Sequence, residues 1–187
     1  MTLLRLMCYD STATIPLHLE AQIRSLLHTE WPGPDADNAA SPLISSALHP
    51  VFFVLADENQ ALSYARTILA TVPHLGQSFK LAGLGDVITK REFRHNGYGG
   101  RIVEEATAHI KSDREADAAL LLTESKLEAF YRRSGWGCVP GLRVVTSEYG
   151  ECITGKTIPM MLFLSAKAHA AREIFSQETL LLPGDEW

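Results

Sequence analysis

The stretch Arg94-His-Asn-Gly-Tyr-Gly-Gly100 lies between a segment typical of a β-strand, residues 81–89, and one typical of an α-helix, residues 101–111. Apolar residues in the second segment recur at helical spacing: Ile102, Val103, Ala106 and Ile110. Glycines let the backbone approach a ligand closely, and the first N–H groups of a helix have no partner within the helix. A strand, a basic glycine-rich turn and a helix start therefore predict a cradle for an anion.

The glycine spacing argues against two common nucleotide loops. Gly97, Gly99 and Gly100 stand too close together for a dinucleotide fingerprint, and no Gly-Lys-Ser/Thr follows. The pattern Arg-x-x-Gly-x-Gly, together with the downstream stretch Ala129-Phe-Tyr-Arg-Arg-Ser-Gly-Trp136, resembles the two signatures of the GNAT superfamily of N-acetyltransferases. The resemblance implies an α/β fold with a mixed, mostly antiparallel central sheet flanked by helices. In this fold a splayed strand pair forms the CoA wedge.

The resemblance also implies acetyl-CoA as cofactor, without a metal, and it suggests roles for individual residues. The backbone of residues 86–89 would contact the pantetheine arm, through Val87, Ile88 and Thr89, with the N–H of Val87 at the developing oxyanion. The pyrophosphate would be held by Arg94, His95, Asn96, Gly97, Tyr98, Gly99 and Gly100.

The second signature implies a general acid and a further pantetheine contact. Tyr131 would protonate the departing thiolate, and the alternative for this residue is a core aromatic at a helix end. Many members carry an Asn at the start of this helix, where Glu124 stands here with Ser125 beside it. That contact is therefore open, and a hydroxyl could replace the amide.

The acceptor side of the site is less determined. Asp86 is one candidate for the base, although strand alternation leaves open which face it occupies. The tail Pro183-Gly-Asp-Glu-Trp187 is similar to the C-terminal tail of aminoglycoside 2'-N-acetyltransferases. This likeness implies that Asp185, Glu186 and the carboxylate of Trp187 meet a polycationic sugar, and it makes the tail, with Trp187 as a catalytic residue, the alternative source of the base. Trp31, Asp35 and Asp37 lie in an irregular acidic segment that could form a cation-binding wall. Alternatives for the two segments are a frayed terminus and a solvated loop.

Composition limits the class of protein. The chain of 187 residues is expected to form one domain over residues 1–187, and its 46% apolar and 21% charged residues are typical of globular proteins. No apolar run reaches the roughly 20 residues of a membrane helix. A signal-peptide cleavage site is also lacking, so a cytoplasmic location without a membrane partner is expected.

Charge and cysteine content limit the possible partners. The net charge of −5 disfavours nucleic acid as a binding partner. Three widely spaced cysteines suggest neither a disulfide framework nor a metal site.

The pattern of apolar residues also predicts the elements. Strands are expected at residues 3–9, 51–57, 61–72, 81–89, 118–123, 142–147 and 159–164. Helices are expected at 15–28, 43–48, 101–111, 126–134 and 166–175, and a turn at 73–77. The late strand could pair at the sheet edge within the chain or with a second copy, which makes a homodimer a further expectation.

These observations favour an acetyl-CoA-dependent N-acetyltransferase acting on a small primary amine, in its sharper form an aminoglycoside or other aminosugar. Two alternatives stay open. One is acetylation of a peptide or protein, which requires an open groove. The other is a GNAT-fold protein that binds CoA without catalysis.

Overall fold

The computed structural model describes residues 3–10, 12–32, 42–58, 60–146, 157–184 and 187. Its α-helices are α1 (Leu17–Glu30), α2 (Tyr98–Ser112), α3 (Glu128–Arg132) and α4 (Ala166–Ala170). Its strands are β1 (Arg5–Tyr9), β2 (Val51–Ala56), β3 (Ala61–His74), β4 (Gln77–Thr89), β5 (Ala118–Glu124), β6 (Gly137–Cys138), β7 (Val144–Thr146), β8 (Thr157–Phe163) and β9 (Leu180–Leu182). Short 3₁₀ turns cover Ser46–Leu48, Arg91–Phe93, Ser125–Leu127 and Arg172–Ser176. Within these ranges, no helix is long and apolar enough to cross a membrane.

Seven strands form one sheet in the order β1-β2-β3-β4-β5-β8-β6, and β7 and β9 pair separately. The pairs β1/β2, β2/β3, β5/β8 and β6/β8 are antiparallel, whereas β4 and β5 run parallel. The prediction of a mixed, mostly antiparallel sheet is confirmed. The late strand β8 lies between β5 and β6 rather than at an edge, so its ladder is completed within the chain, and the homodimer stays a prediction.

The contacts of the chain form two compact units. The first comprises Met1–Thr67 and Asp86–Ala106, and the second comprises Ile68–Gly85 and Thr107–Trp187, so β3, β4 and α2 contribute residues to both. In the first unit, the apolar face of α1 packs against β2, β3 and the end of β4. That residues 1–187 act as one functional domain stays a prediction.

The core of the second unit is built around Phe175. Its ring centroid lies 5.0 Å from that of Phe79 and 5.7 Å from that of Phe163, and the His74 imidazole stacks at 5.4 Å. Aromatic rings contribute large apolar areas, which explains why the short segment 172–176 can anchor a core.

Several details differ from the sequence-based expectations. The helix expected at 43–48 is only a 3₁₀ turn over Ser46–Leu48, and the one expected at 166–175 is the short α4 followed by a 3₁₀ turn. Pro73 does not begin a turn but lies exposed within β3, and the reversal occurs at Leu75 and Gly76, whose φ angles of 45° and 73° are typical of a tight two-residue hairpin. The two-residue strand β6 was not predicted. Strand β9 was also missed, although its leucines alternate between buried and exposed positions.

The parallel pairing of β7 with β9 attaches the C-terminal segment to the second core. Leu182 is fully buried there, whereas the adjacent Leu181 is 57% exposed. We expect Leu182→Ala to lower the free energy of unfolding by about 2–5 kcal/mol, because it removes buried apolar contacts and leaves a cavity. The matched control Leu181→Ala should change it by no more than about 0.5 kcal/mol. Urea denaturation measures both, and equal effects would mean that β9 does not pack as described.

Candidate active site

Strands β4 and β5 separate after a short parallel ladder. Their pairing runs from Leu81↔Ala118 to Gly83↔Leu120. Strand β4 then continues to Thr89 and β5 to Glu124, and no further pair joins them in this fully described part of the chain. This is the splayed strand pair expected from the sequence. Backbone groups beyond the last pair must find other partners, because buried N–H and C=O groups are rarely left unpaired.

Asp86 interrupts the regular backbone of β4. Its φ of 52° lies in the left-handed region, which L-residues other than glycine rarely adopt. Its carboxylate accepts a hydrogen bond from Arg66 on β3, with 2.5 Å between Nε and Oδ2. Arg66 is only 4% exposed. The Asp86 side chain therefore faces the Arg66 guanidinium, and one of its two carboxylate oxygens is occupied by this hydrogen bond.

The residues that follow contribute backbone rather than side chains. Val87 is half-buried, and the Ile88 side chain is buried in the core of the first unit. The hydroxyl of Ser63 donates to the carbonyl of Ile88 at 2.9 Å and lies 2.8 Å from Oγ1 of Thr89. Ser63 was not predicted, and it fixes the end of β4, from which a short 3₁₀ turn leads to the glycine loop.

The glycine loop leads directly into α2. His95 and Gly97 have left-handed φ angles of 67° and 79°, and the first helical bond joins the Arg101 N–H to the Gly97 carbonyl at 3.1 Å. The amide of Asn96 donates to two carbonyls of the loop, at 3.1 and 3.2 Å, and braces it. A Cβ built on Gly97 or Gly100 meets no atom within 4 Å. The space above the helix start is therefore open, as an anion cradle requires.

Arg94 is held by the protein itself. Its Nη2 lies 2.9 Å from Oε2 of Glu30 at the end of α1, and its Nε donates to the Thr89 carbonyl at 3.0 Å. Arg91, which was not predicted, reaches the same Glu30 oxygen at 3.6 Å, and its side chain is 67% exposed. Two guanidinium groups thus converge beside the loop and share one carboxylate.

In the second unit, Tyr131 lies on α3 and is 7% exposed. Burial raises the pKa of its phenol to about 12, and a hydrogen bond with Thr123 acts in the opposite direction. A hydrogen bond lowers the pKa of a phenol when the partner, here the threonine hydroxyl, donates to the phenol oxygen. Thr123 is itself buried on β5, and the Phe130 ring meets that of Tyr131 edge-on at 4.9 Å. The phenol is thus neutral and fixed in position.

The rest of the second signature is structural. Trp136 is 1% exposed and donates from Nε1 to Oγ1 of Thr107 at 3.0 Å. Helix α3 covers only Glu128–Arg132, shorter than expected, and Gly135 with a φ of 96° turns the chain after it. Glu124 and Ser125 are exposed; the Glu124 carboxylate pairs with Lys126 Nζ at 2.6 Å, and Ser125 begins a 3₁₀ turn.

The C-terminal residue Trp187 lies against β4. Its Nε1 donates to the Pro183 carbonyl at 2.9 Å. A Cβ built on Gly83 would stand 3.1 Å from Trp187 Cε3 and 2.8 Å from Ile68 Cγ1, so only a glycine fits there without displacement. Gly83 belongs to the last β4/β5 pair, which places the Trp187 ring where the two strands separate.

Of the other predicted acceptor residues, Trp31 alone lies within the described structure. Trp31 is 52% exposed at the end of α1. Asp35, Asp37, Asp185 and Glu186 lie outside the described residues. A cation-binding role for any of these five stays a prediction.

Comparison with known proteins identifies a family. A family model described as an acetyltransferase (GNAT) domain matches residues 19–139, which is more than half of the chain. No curated protein matches. Among solved structures, the chain is similar to the Escherichia coli GNAT family N-acetyltransferase YhbS in complex with CoA, at a TM-score of 0.63 and 17% identity over 98% of this chain and 92% of that chain. It is also similar to an acyl-CoA N-acyltransferase from Pseudomonas aeruginosa, with a TM-score of 0.58, 20% identity and coverages of 84% and 98%. A third similar structure is glucosamine-6-phosphate N-acetyltransferase from Arabidopsis thaliana, with a TM-score of 0.54 and 16% identity over 70% of this chain and 90% of that chain. The GNAT fold expected from the two motifs is confirmed.

The raised pKa of Tyr131 predicts its titration. An ordinary tyrosine ionises near pH 10, whereas Tyr131 should keep its proton until about pH 12. In a phenolate absorbance titration, the difference between the curves of wild type and Tyr131→Phe should therefore contain a transition near pH 12. Because the unfolded chain loses this proton near pH 10, the contribution of Tyr131 to stability is complete below pH 10 and falls between pH 10 and 12. A transition near pH 10 in this difference curve, in place of one near pH 12, would mean that the Tyr131 phenol is exposed.

Proposed function

Because the chain belongs to the GNAT acetyltransferase family, we propose that it transfers an acetyl group from acetyl-CoA to the primary amine of a small molecule. The observation that carries this proposal is the open glycine-lined start of α2. There Gly97 and Gly100 leave room for a ligand, beside the guanidinium groups of Arg94 and Arg91. The thioester of acetyl-CoA supplies the activated acyl group, and the protein has to hold it, polarise its carbonyl and assist the departing sulfur.

The first unit would hold the cofactor. The amides at the start of α2 suit a pyrophosphate, because helix N-termini bind anions with free N–H groups and a favourable dipole. Arg91 and Arg94 can both add charge by exchanging Glu30 for the ligand, while Arg94 Nε keeps the loop attached to the Thr89 carbonyl. Backbone groups of Val87 and Thr89 would pair with the pantetheine arm, and Ile88 could join only through its backbone.

The departing sulfur would be assisted by Tyr131. A phenol with a pKa of about 12 is a weaker acid than a thiol with an ordinary value near 8.5. Complete proton transfer is therefore uphill in the free protein, and donation of a hydrogen bond to the departing sulfur is the contribution that this acidity supports. Thr123 favours this role, because a hydroxyl that donates to the phenol oxygen leaves the phenol proton free to point elsewhere.

The acceptor would approach from the side of the C-terminus. Trp187 borders the position where β4 and β5 separate, which supports a role for the tail in lining the acceptor site. With Asp185 and Glu186 preceding it and a net charge of −5, a cationic amine such as an aminosugar is the acceptor that we favour. The base is Asp86, a carboxylate of the C-terminal tail such as that of Trp187, or an ordered water molecule.

The first experiment is thiol release from acetyl-CoA across aminoglycosides, simple aminosugars, polyamines, amino acids and short peptides. We expect turnover with at least one aminosugar and a loss of that turnover when residues 185–187 are deleted. Turnover with peptides alone would instead indicate a peptide N-acetyltransferase. CoA binding without turnover of any amine would indicate a non-catalytic CoA-binding protein.

Two tyrosine variants connect this turnover to the proposed site. Tyr131→Phe should lower kcat by about 10²-fold, with little change in acetyl-CoA affinity, because it removes only the hydroxyl that assists the sulfur. Tyr9→Phe removes a phenol from β1, where its Oη contacts Met7 Sδ, and serves as the matched control with unchanged kcat. Equal activity of wild type and Tyr131→Phe would assign the assistance to another group.

The glycine loop gives an independent test of cofactor binding. Because a side chain at position 100 meets no protein atom near Cβ, Gly100→Leu should fold with stability equal to wild type or about 0.5–1 kcal/mol higher. Its dissociation constant for CoA, measured by calorimetry, should rise by at least about tenfold, since the leucine would fill the cradle. Ala108→Leu adds the same side chain at an exposed position of α2 and should leave CoA binding unchanged. Undiminished CoA affinity of Gly100→Leu would place the cofactor elsewhere.

A further inference from the structure

We propose that Arg66 is a positioning residue, which holds the left-handed backbone of Asp86 and thereby presents the N–H of Val87 to the thioester carbonyl. The inference rests on the proposed acetyl transfer for its chemistry. It concerns residues of the first unit alone, and the ion pair that carries it joins neighbouring strands β3 and β4.

The backbone of Asp86 is the first observation. Four non-glycine residues have a positive φ in the described chain: His49, Leu75, Asp86 and His95. Asp86 alone among them lies inside a strand, whereas the others lie at turns and loops. A left-handed residue within a strand is characteristic of a bulge, where the ladder is interrupted and a peptide group is left for another partner. Such strained conformations persist where surrounding contacts over-determine them, and they cluster at functional sites.

The burial of Arg66 is the second observation. Its Nε donates to Asp86 Oδ2, yet its Nη1 is buried without a hydrogen-bond partner in the described structure. Burying a guanidinium with an unpaired N–H is unfavourable for folding, so stability alone does not explain an arginine at this position. A requirement to fix the conformation of Asp86 does explain it.

The neighbouring polar groups leave Asp86 as the counter-ion. Glu20 is paired with Arg24 along α1, with 2.7 Å between Oε1 and Nη2. Burial raises the pKa of the Tyr64 phenol above its ordinary value, so this residue stays neutral beside Arg66 and does not balance its charge. Within the described residues, Arg66 forms a salt bridge with Asp86 alone. Removing the guanidinium would therefore release the Asp86 side chain and the backbone geometry that it maintains.

Glycine substitution separates the backbone role from a role of the carboxylate. Glycine adopts positive φ without a side-chain anchor, whereas alanine disfavours it. In an Arg66→Met background, Asp86→Gly should therefore restore the presentation of the Val87 N–H, and Asp86→Ala should not. A general base at Asp86 predicts instead that neither double variant recovers turnover, because neither glycine nor alanine can take up a proton.

The experiment compares four proteins: wild type, Arg66→Met, and Arg66→Met combined with Asp86→Gly or with Asp86→Ala. Calorimetry gives the affinity for acetyl-CoA relative to that for CoA, which lacks the thioester carbonyl. We expect Arg66→Met to lose about fivefold in this ratio, as for one hydrogen bond, with CoA affinity unchanged. We expect kcat to fall by about 10²-fold, as for one oxyanion donor. The glycine double variant should recover both quantities, and the alanine double variant should recover neither.

A readout without ligand keeps this proposal separate from the proposed function. The ¹⁵N–¹H resonance of Val87 in the free protein should shift when Arg66→Met is introduced into wild type, and should stay in place when it is introduced into Asp86→Gly. An unshifted resonance, or a glycine double variant as impaired as Arg66→Met, overturns the positioning role. Absence of turnover and of acetyl-CoA binding in wild type, with the resonance pattern as expected, overturns the proposed function instead. Arg66→Lys, which keeps a buried cation, replaces Arg66→Met if the latter does not fold.

Discussion

The parallel ladder between β4 and β5 ends after three pairs, and the proposed chemistry depends on that early end. A continuous ladder would use the backbone groups of β4 for the fold and leave none for a ligand. Gly83 belongs to the last pair, where the absence of a side chain lets Ile68 and Trp187 each lie close to the strand. Asp86 then departs from strand geometry three residues later. The second half of β4 thus departs from regular pairing directly after the ladder with β5 ends.

The charges around this strand are mostly neutralised by the protein. Arg66 pairs with Asp86, and Arg94 pairs with Glu30. The two pairs differ in burial, since the Arg66 side chain is 5% exposed and that of Arg94 is 39% exposed. Exposed ion pairs contribute little to stability and exchange partners readily, whereas breaking a buried pair leaves an uncompensated charge. Arg94 can therefore turn from Glu30 to an anionic ligand, while Arg66 is suited to a fixed structural contact.

The sequence predicted the parts of the molecule whose signal is local. Ile102 and Ile110 mark the buried face of α2, and the glycine loop and the motif around Tyr131 lie on the expected elements. The rest depends on contacts between distant residues. Nothing local to Asp86 indicates that Arg66, twenty residues earlier, determines its orientation. Likewise, the parallel partner of β9 is β7, a pairing that periodicity does not specify. Alternation of buried and exposed leucines could have indicated a strand there, but not its neighbour.

The roles proposed for Tyr131 and Val87 require different properties of their surroundings. A donor to an oxyanion must be a backbone group whose direction is fixed before the ligand arrives, since preorganisation is what gives such donors their effect. A donor to sulfur must keep its proton, and burial ensures this for Tyr131 by disfavouring the phenolate. In these proposed roles, each unit relies on a different device: an ion pair that constrains a strand in the first, and desolvation of the phenol in the second. Loss of the ion pair would change geometry, whereas loss of burial would change acidity, so the two contributions are separable by the kind of defect that each produces.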